Sequence, residues 1–257
     1  MSDKPVFHTL ITGASSGIGR ATAIELSKEY NLILHGRNRA KLEETMRLCA
    51  PGDHRIWTYD LAEVDGLQSA FEGFVKTEAL LIDKFVHCAG MVFLTAVKTI
   101  DLASFRRIVD TNSTSAVLLT SSLMKAKVAG KTMKSIVFIS SIAATQSTRG
   151  KTLYGMSKGM LNSFARVAAV EFAPNVRINT VCPAAVKTKM ATTVFDDPEI
   201  RSAMEFRHPM GTGKPEDVAG VVSFLLSDKA RWITGAQIAV DGGASCDLTF
   251  KLPPALK

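Results

Sequence analysis

Along the chain, short runs of apolar and β-branched residues alternate with longer segments whose apolar positions recur every three or four residues. The runs Val6–Thr12, Leu32–His35, Ile56–Tyr59, Phe85–His87, Ile136–Ser140, Arg177–Val181 and Gln237–Val240 read as strands. Between them Ile18–Tyr30, Lys41–Cys49, Val64–Glu78, Ser104–Met124, Leu153–Phe172 and Asp217–Leu226 read as helices. Strand–helix alternation of this kind is the mark of βαβ crossovers and a buried parallel sheet. The pattern predicts an α/β fold with a doubly wound parallel sheet. No linker, repeat or low-complexity tract divides it, so 1–257 reads as a single domain.

One stretch departs from the pattern. Residues 187–213 lack strand periodicity and contain Pro198 and Pro209, which predicts an irregular substrate loop. Its Met190, Val194, Phe195, Met204 and Phe206 are expected to close over a ligand, since long loops in compact α/β domains are commonly lids. Residues 244–257 read as a C-terminal tail.

Composition narrows the function. With 46% hydrophobic and 21% charged residues the chain has globular character and material for a sizeable core. The net charge of +7 suggests an anionic partner. The basic residues are dispersed with no run of five, which favours an enzyme that binds an anionic cofactor over a nucleic-acid binder. No apolar run approaches the roughly 18 residues of a membrane span. The polar start, Met1 to Pro5, does not resemble a signal peptide, so a cytoplasmic protein is expected. Cys49, Cys88, Cys182 and Cys246 are scattered, and the five histidines lack ligand spacing. Neither disulfides nor a metal site are expected.

The first strand ends in Thr12-Gly13-Ala14-Ser15-Ser16-Gly17-Ile18-Gly19 and opens directly into a helix. Glycines permit a tight turn and close approach to a pyrophosphate, and the helix N-terminus offers free N–H groups. This is the Rossmann-type location for a dinucleotide. At the end of the second strand the sequence reads Leu34-His35-Gly36-Arg37-Asn38-Arg39. An acidic residue there would bond a ribose 2′-hydroxyl, whereas an arginine accepts a 2′-phosphate. Gly36 followed by Arg37 therefore predicts NADP(H). Further on, Tyr154-Gly155-Met156-Ser157-Lys158 puts a phenol and an ammonium one helical turn apart. The nearby cation, with the positive charge of an oxidised nicotinamide, would favour the phenolate.

These motifs, in this order, resemble the short-chain dehydrogenase/reductase family in its compact single-domain branch, nearest the 3-oxoacyl-[acyl-carrier-protein] reductase group. The likeness runs from about Val6 to Gly243. It implies that Asn112, Ser141, Tyr154 and Lys158 are catalytic. Ser141 would bond the substrate oxygen, Tyr154 would move the proton, and Lys158 would also hold the ribose. Asn112 would support a water-linked proton path to the lysine. The cofactor residues it implies are Gly13, Ser15, Ser16, Gly17, Ile18, Gly19, Arg37, Asp60, Leu61, Cys88, Ala89, Gly90, Tyr154, Lys158, Pro183, Val186 and Thr188. Three positions depart from the family's pattern: His87 and Cys88 stand for two asparagines, and Ala184 for a glycine.

The resemblance implies NADPH-dependent reduction of a carbonyl, either a small ketone or a carrier-bound acyl chain. Lys131 and Lys134 are the cations considered for docking a carrier. Two other functions stay open: a nucleotide-sensing or scaffolding protein on the same fold, and a sugar-nucleotide epimerase or dehydratase. The complete Ser/Tyr/Lys/Asn set disfavours the first, and the chain length and glycine spacing disfavour the second.

A homo-oligomer, dimer or tetramer, is also expected. In the Tyr154 helix, Met156, Met160, Phe164 and Val167 form one apolar stripe. Leu161, Ala165, Ala168, Ala169 and Phe172 form a second, read as the face that meets another copy. In Ser104–Met124 the apolar residues Phe105, Ile108, Val109, Val117, Leu118 and Leu119 spread over a similarly wide arc.

Overall fold

The computed structural model of the chain describes residues 5–125, 128, 132–146, 149–188 and 197–247. Among them seven strands form one parallel sheet: β1 (Phe7–Thr12), β2 (Asn31–Gly36), β3 (Arg55–Thr58), β4 (Leu81–His87), β5 (Ser135–Ile139), β6 (Arg177–Pro183) and β7 (Gln237–Val240). Their spatial order is β3-β2-β1-β4-β5-β6-β7. The helices are α1 (Gly17–Leu26), α2 (Arg39–Leu48), α3 (Val64–Thr77), α4 (Leu102–Val109), α5 (Ser115–Met124), α6 (Thr152–Phe172), α7 (Pro198–Phe206) and α8 (Pro215–Leu226).

The two-residue period of the strands splits the core into two layers. Leu10, Ile33, Phe85, Ile136 and Phe138 point to one face, where Phe71 of α3, Leu119 of α5 and Leu161 of α6 cover them. Ile11, Leu34, Val86, Val137 and Val181 point to the other, beneath Ala23 and Leu26 of α1 and Val218 and Val222 of α8. Each fully buried Leu, Ile or Phe contributes about 1.5–3 kcal/mol.

The sheet is the predicted one, with informative differences at its edges. β4 starts at Leu81 rather than Phe85, because Asp83 and Lys84 break the apolar run without breaking the strand. Their charges compensate one another at 2.6 Å, and the Lys84 ammonium lies 4.6 Å from the Tyr30 ring centroid. The helix expected over Ser104–Met124 is two helices, α4 and α5, joined by a π-helical turn at Asp110–Thr114. The wider turn carries two consecutive buried polar side chains, Asn112 and Ser113, and π turns recur at functional sites.

The stretch 187–213 is not wholly irregular. Asp197 Oδ1 accepts from the N–H groups of Glu199 and Ile200 at 2.8 and 3.1 Å, and Pro198 occupies the first turn of α7. Pro198 thus starts a helix, at the one helical position where its missing N–H costs nothing. Met190, Val194, Phe195 and residues 248–257 of the tail lie outside the described residues.

The two stripes on α6 are exchanged relative to expectation. Leu161, Ala165, Ala168 and Ala169 are buried within the subunit, against β5 and β6, with Phe172 partly buried beside them. Met156, Met160, Val167 and Val170 stand on the outer face, Val170 being 81% exposed. Small side chains let α6 lie close to the sheet. Spacing alone cannot distinguish such an alanine face from one that meets a partner helix.

Ala169→Arg should therefore break the fold rather than an assembly, by at least about 3 kcal/mol for an unpaired buried charge. Circular dichroism melting checks this: Ala169→Arg loses native helix signal, whereas Val170→Arg keeps it.

Candidate active site

The strand order reverses between β1 and β4, and a cleft opens outside the carboxyl ends of the strands there, where open α/β sheets bind ligands. Its volume is about 980 Å³. β1 forms its first wall. Gly13 has φ +70°, and a Cβ on it would stand 2.8 Å from the main-chain N and Cα of Ala89. A Cβ on Gly19 would collide with the Gly13 carbonyl oxygen. Ser16 precedes α1 without capping it through its side chain, and the first turn carries no acidic residue. The leading N–H groups of α1 are thus free for an anion. Arg20 braces the loop from behind, donating to the Ser15 carbonyl at 2.9 Å and to Glu44 at 3.0 Å.

At the end of β2, Gly36 packs against Leu42 and Ser15, and Arg37 follows with its side chain 68% exposed. The guanidinium lies 3.5 Å from the Asp60 carboxylate, whose other oxygen accepts from the Ala62 N–H at 3.1 Å. A solvent-exposed pair of this kind is worth little and opens readily to a ligand.

The end of β4 shows how the chain manages without the two asparagines. The Ala89 N–H donates to Thr12 Oγ1 at 3.3 Å, and the Thr12 hydroxyl shares a hydrogen bond with His87 Nδ1 at 2.9 Å. His87 is fully buried, and burial holds its pKa down to about 3. Its Nε2 faces the main chain of Asn112 without reaching hydrogen-bond geometry. Burial likewise pushes the Cys88 thiol up to about 12. The turn is held from outside: Asn112 accepts from the Met91 N–H at 2.7 Å and donates to the Met91 carbonyl at 3.0 Å.

Asn112 also donates to Ser157 Oγ at 3.0 Å, which donates to the Tyr154 carbonyl at 2.8 Å. The π turn is thereby strapped to α6. A Cβ on Gly155 would lie 2.7 Å from the Ala143 carbonyl, so a glycine beside Tyr154 lets α6 pass the Ser141 turn. Lys158 is 4% exposed and donates to the Ile139 carbonyl at 2.8 Å, with its ammonium 5.9 Å from the Tyr154 ring centroid. Burial lowers its pKa to about 8. Burial raises the Tyr154 phenol and a bond with Ser141 pulls the other way, so in this state the phenol is protonated. Ser141 Oγ accepts from the Ala143 N–H at 3.1 Å.

Apart from Asn112, every residue expected in the site lines this one cleft, from the glycine loop through Arg37, Asp60, Leu61 and Cys88–Gly90 to Ser141, Tyr154, Lys158, Pro183, Val186 and Thr188. Asn112 lies behind the wall, fully buried. Met204 of the stretch 187–213 reaches the cleft, while Phe206 is 44% exposed on the outside. The sequence reading missed Lys151 and the apolar Met91–Leu94 on the wall. It also missed His208, which accepts from the Ala185 N–H at 3.3 Å and links α7 to the β6 loop. Lys151 and His208 carried no motif; only the rule that cleft residues follow strand ends could have drawn attention to Met91. Lys134 leads into β5 at its amino end, roughly 23 Å of extended chain from Ser141. It is thus at the opposite end of the strands from the cleft. Lys131 lies outside the described residues.

A family model described as enoyl-(acyl carrier protein) reductase matches residues 13–245. The chain belongs to the short-chain dehydrogenase/reductase family. A tropinone reductase homolog of Arabidopsis thaliana is 32% identical over 94% of this chain and 92% of its own. D-erythrulose reductase of Gallus gallus is 32% identical over 92% of this chain and 94% of its own. The solved structure of ElxO with NADP bound superposes with a TM-score of 0.83 at 26% identity, covering 94% of this chain and 100% of that one. This short-chain dehydrogenase/reductase is an oxidoreductase of a family that uses nicotinamide cofactors. Its described helices include none long and apolar enough to cross a membrane, and its described residues hold no group suited to a metal ion.

Two buried neutral histidines beside the cleft make the enzyme acid-labile. His35, held by burial at about 4, and His87, at about 3, both take up a proton on unfolding below their ordinary value of 6.5. The unfolded chain binds more protons, so stability falls as pH drops from about 6.5 towards 4, by about 2 kcal/mol per histidine at pH 5. Denaturant titrations at pH 7 and pH 5 should show this loss, and His87→Asn should remove about half of it.

Proposed function

We propose that this chain is an NADPH-dependent reductase that converts a carbonyl to an alcohol, with Tyr154 as the proton donor. The observation that carries the reading is the meeting of Ser141, Tyr154 and Lys158 in the same cleft as the glycine loop and Arg37. The cradle suits a dinucleotide: glycines where side chains would fill the space, an uncapped helix N-terminus, and the exposed Arg37 guanidinium at the end of β2. Gly13–Gly19 and the α1 N–H groups would hold the pyrophosphate, and Arg37 would leave Asp60 for the 2′-phosphate. Asp60 and Leu61 would meet the adenine, and Cys88, Ala89 and Gly90 would line the ribose side. Lys158 would hold the ribose hydroxyls, and Pro183, Val186 and Thr188 the carboxamide. When bound, the reduced nicotinamide supplies the hydride.

The chain's own residues supply the proton. A raised phenol pKa keeps Tyr154 protonated at neutral pH, the state needed to donate to a developing alkoxide. Ser141 can donate to the same oxygen. Once the proton has left, the Lys158 ammonium and the Ser141 hydroxyl stabilise the phenolate. Asn112 would act behind this pair, keeping the Met91 turn and α6 in register.

The reading extends to assembly and location. The outer stripe of α6, Met156, Met160, Val167 and Val170, with Leu102 and Phe105 of α4, supports a homo-oligomer formed through these helices. Light scattering at the mass of one 27.7 kDa chain would overturn that. The four free cysteines fit a reducing cytoplasm.

Arg37→Ala should weaken NADPH binding by about 1.5–3 kcal/mol and leave NADH binding nearly unchanged. Fluorescence titration with both cofactors decides it; equal weakening would overturn the assignment. Tyr154→Phe, assayed against a panel of ketones, should lose about three orders of magnitude or more in kcat while binding NADPH as the wild type does. A Phe variant that turns over normally would sink the proton-donor role, and binding without turnover by the wild type would favour a sensing function.

A further inference from the structure

Lys151 occupies an electrostatically unfavourable place that nothing in the proposed reaction uses. It directly precedes α6, is half-buried, and lines the same cleft as Tyr154. Its main chain is fixed on both sides. Thr95 pairs with it in a parallel bridge and donates to the Gly150 carbonyl at 2.7 Å, and the Gly155 N–H donates to the Lys151 carbonyl at 2.8 Å. Among the described residues no carboxylate comes within ion-pairing distance of its ammonium.

The groups around it make matters worse for a cation. Arg207, at the end of α7, is the charge that bears on Lys151, and it too lacks an ion pair among the described residues. The positive end of α6 lies at Lys151, with no acidic residue in its first turn. Arg106 and Arg107 of α4 add two further cations to the cleft wall. One carboxylate of this wall, Asp110, accepts from Thr114 Oγ1 at 3.0 Å. Burial and Arg207 together lower the proton affinity of Lys151.

We propose that Lys151 is the anchor for the carboxylate of a short oxo acid, making this enzyme a reductase of anionic rather than neutral ketones. The inference rests on the carbonyl-reductase reading above. An anion at this point would be paired with the Lys151 ammonium, favoured by Arg207 and by the helix end, and partly shielded from water. Lys151 and Tyr154 line the same cleft three residues apart at the start of α6, so one small molecule can meet both, and a 2-oxo or 3-oxo acid is the class we assign. Met91, Phe93, Leu94 and Met204 give the rest of the cleft apolar walls, which suit an aliphatic remainder better than a polyhydroxylated one. A carrier-bound 3-oxoacyl thioester has no carboxylate to place there.

The test compares acetoacetate, its uncharged methyl ester and the neutral ketose L-xylulose under NADPH, with wild type, Lys151→Met and Lys151→Arg. Acetoacetate should exceed both neutral compounds in kcat/KM by about ten-fold. Lys151→Met should erase that preference, mostly through KM, while leaving the ester within about three-fold of wild type; Lys151→Arg should keep it. Independently of turnover, 3-hydroxybutyrate should raise the melting temperature of the wild type with bound cofactor and not that of Lys151→Met. A wild type that prefers the ester or the ketose overturns the proposal, as does a Met variant that slows acid and ester alike. If no carbonyl compound is reduced, the function reading fails, and the thermal shift alone then decides whether Lys151 binds a carboxylate.

Discussion

β1 and β4 approach each other so closely at their carboxyl ends that the first residue after β1 can carry no side chain. A Cβ on Gly13 would stand 2.8 Å from the backbone of Ala89. That contact sets the turn after β4, and the turn presents Met91 to Asn112. Asn112 in turn reaches Ser157, and Ser157 bonds back to the Tyr154 carbonyl. A chain of short contacts thus runs from the glycine loop to the phenol, fixing the distance between two ends of a cleft whose walls come from distant parts of the sequence. Side chains held this way need little reordering when a ligand arrives, which is where preorganised sites gain their advantage.

Much of this was legible before any coordinates. Strand and helix order, the glycine loop, Arg37 beside Gly36 and the Tyr154/Lys158 pair all depend on local spacing, and local spacing is what a sequence displays. What escaped depended on the third dimension. Asp83 and Lys84 read as a break because a charge pair within a strand cannot be recognised until its two members meet. Pro198 read as a breaker because its tolerance at a helix start depends on Asp197 capping the same turn. Ala165, Ala168 and Ala169 read as an exposed face because small residues serve close packing against a sheet and against a second helix equally well. Lys151 went unnoticed since its significance lies in the carboxylate it lacks.

Burial is the largest influence on charge in the cleft. Desolvation raises Tyr154, against a hydrogen bond with Ser141. Lys158 is lowered to about 8 by the same cause. His87 stays neutral and acts as a hydrogen-bonding spacer against Thr12. The turn after β4 is thus supported by Asn112 and Thr12 rather than by its own side chains.

The π turn at Asp110–Thr114 has a consequence for how this chain can change by insertion and deletion. With its i→i+5 bonding, the turn takes in one residue more than the α-helical turn it replaces. Loss of a single residue there would close it to i→i+4 bonding and leave Leu119 and Leu123 on the sheet, but would remove the wider turn that carries Asn112 and Ser113 inward. The same loss inside α5 would instead rotate everything beyond it by about 100°. A one-residue deletion thus costs the cleft its strap at the π turn and costs the core its packing one helix later.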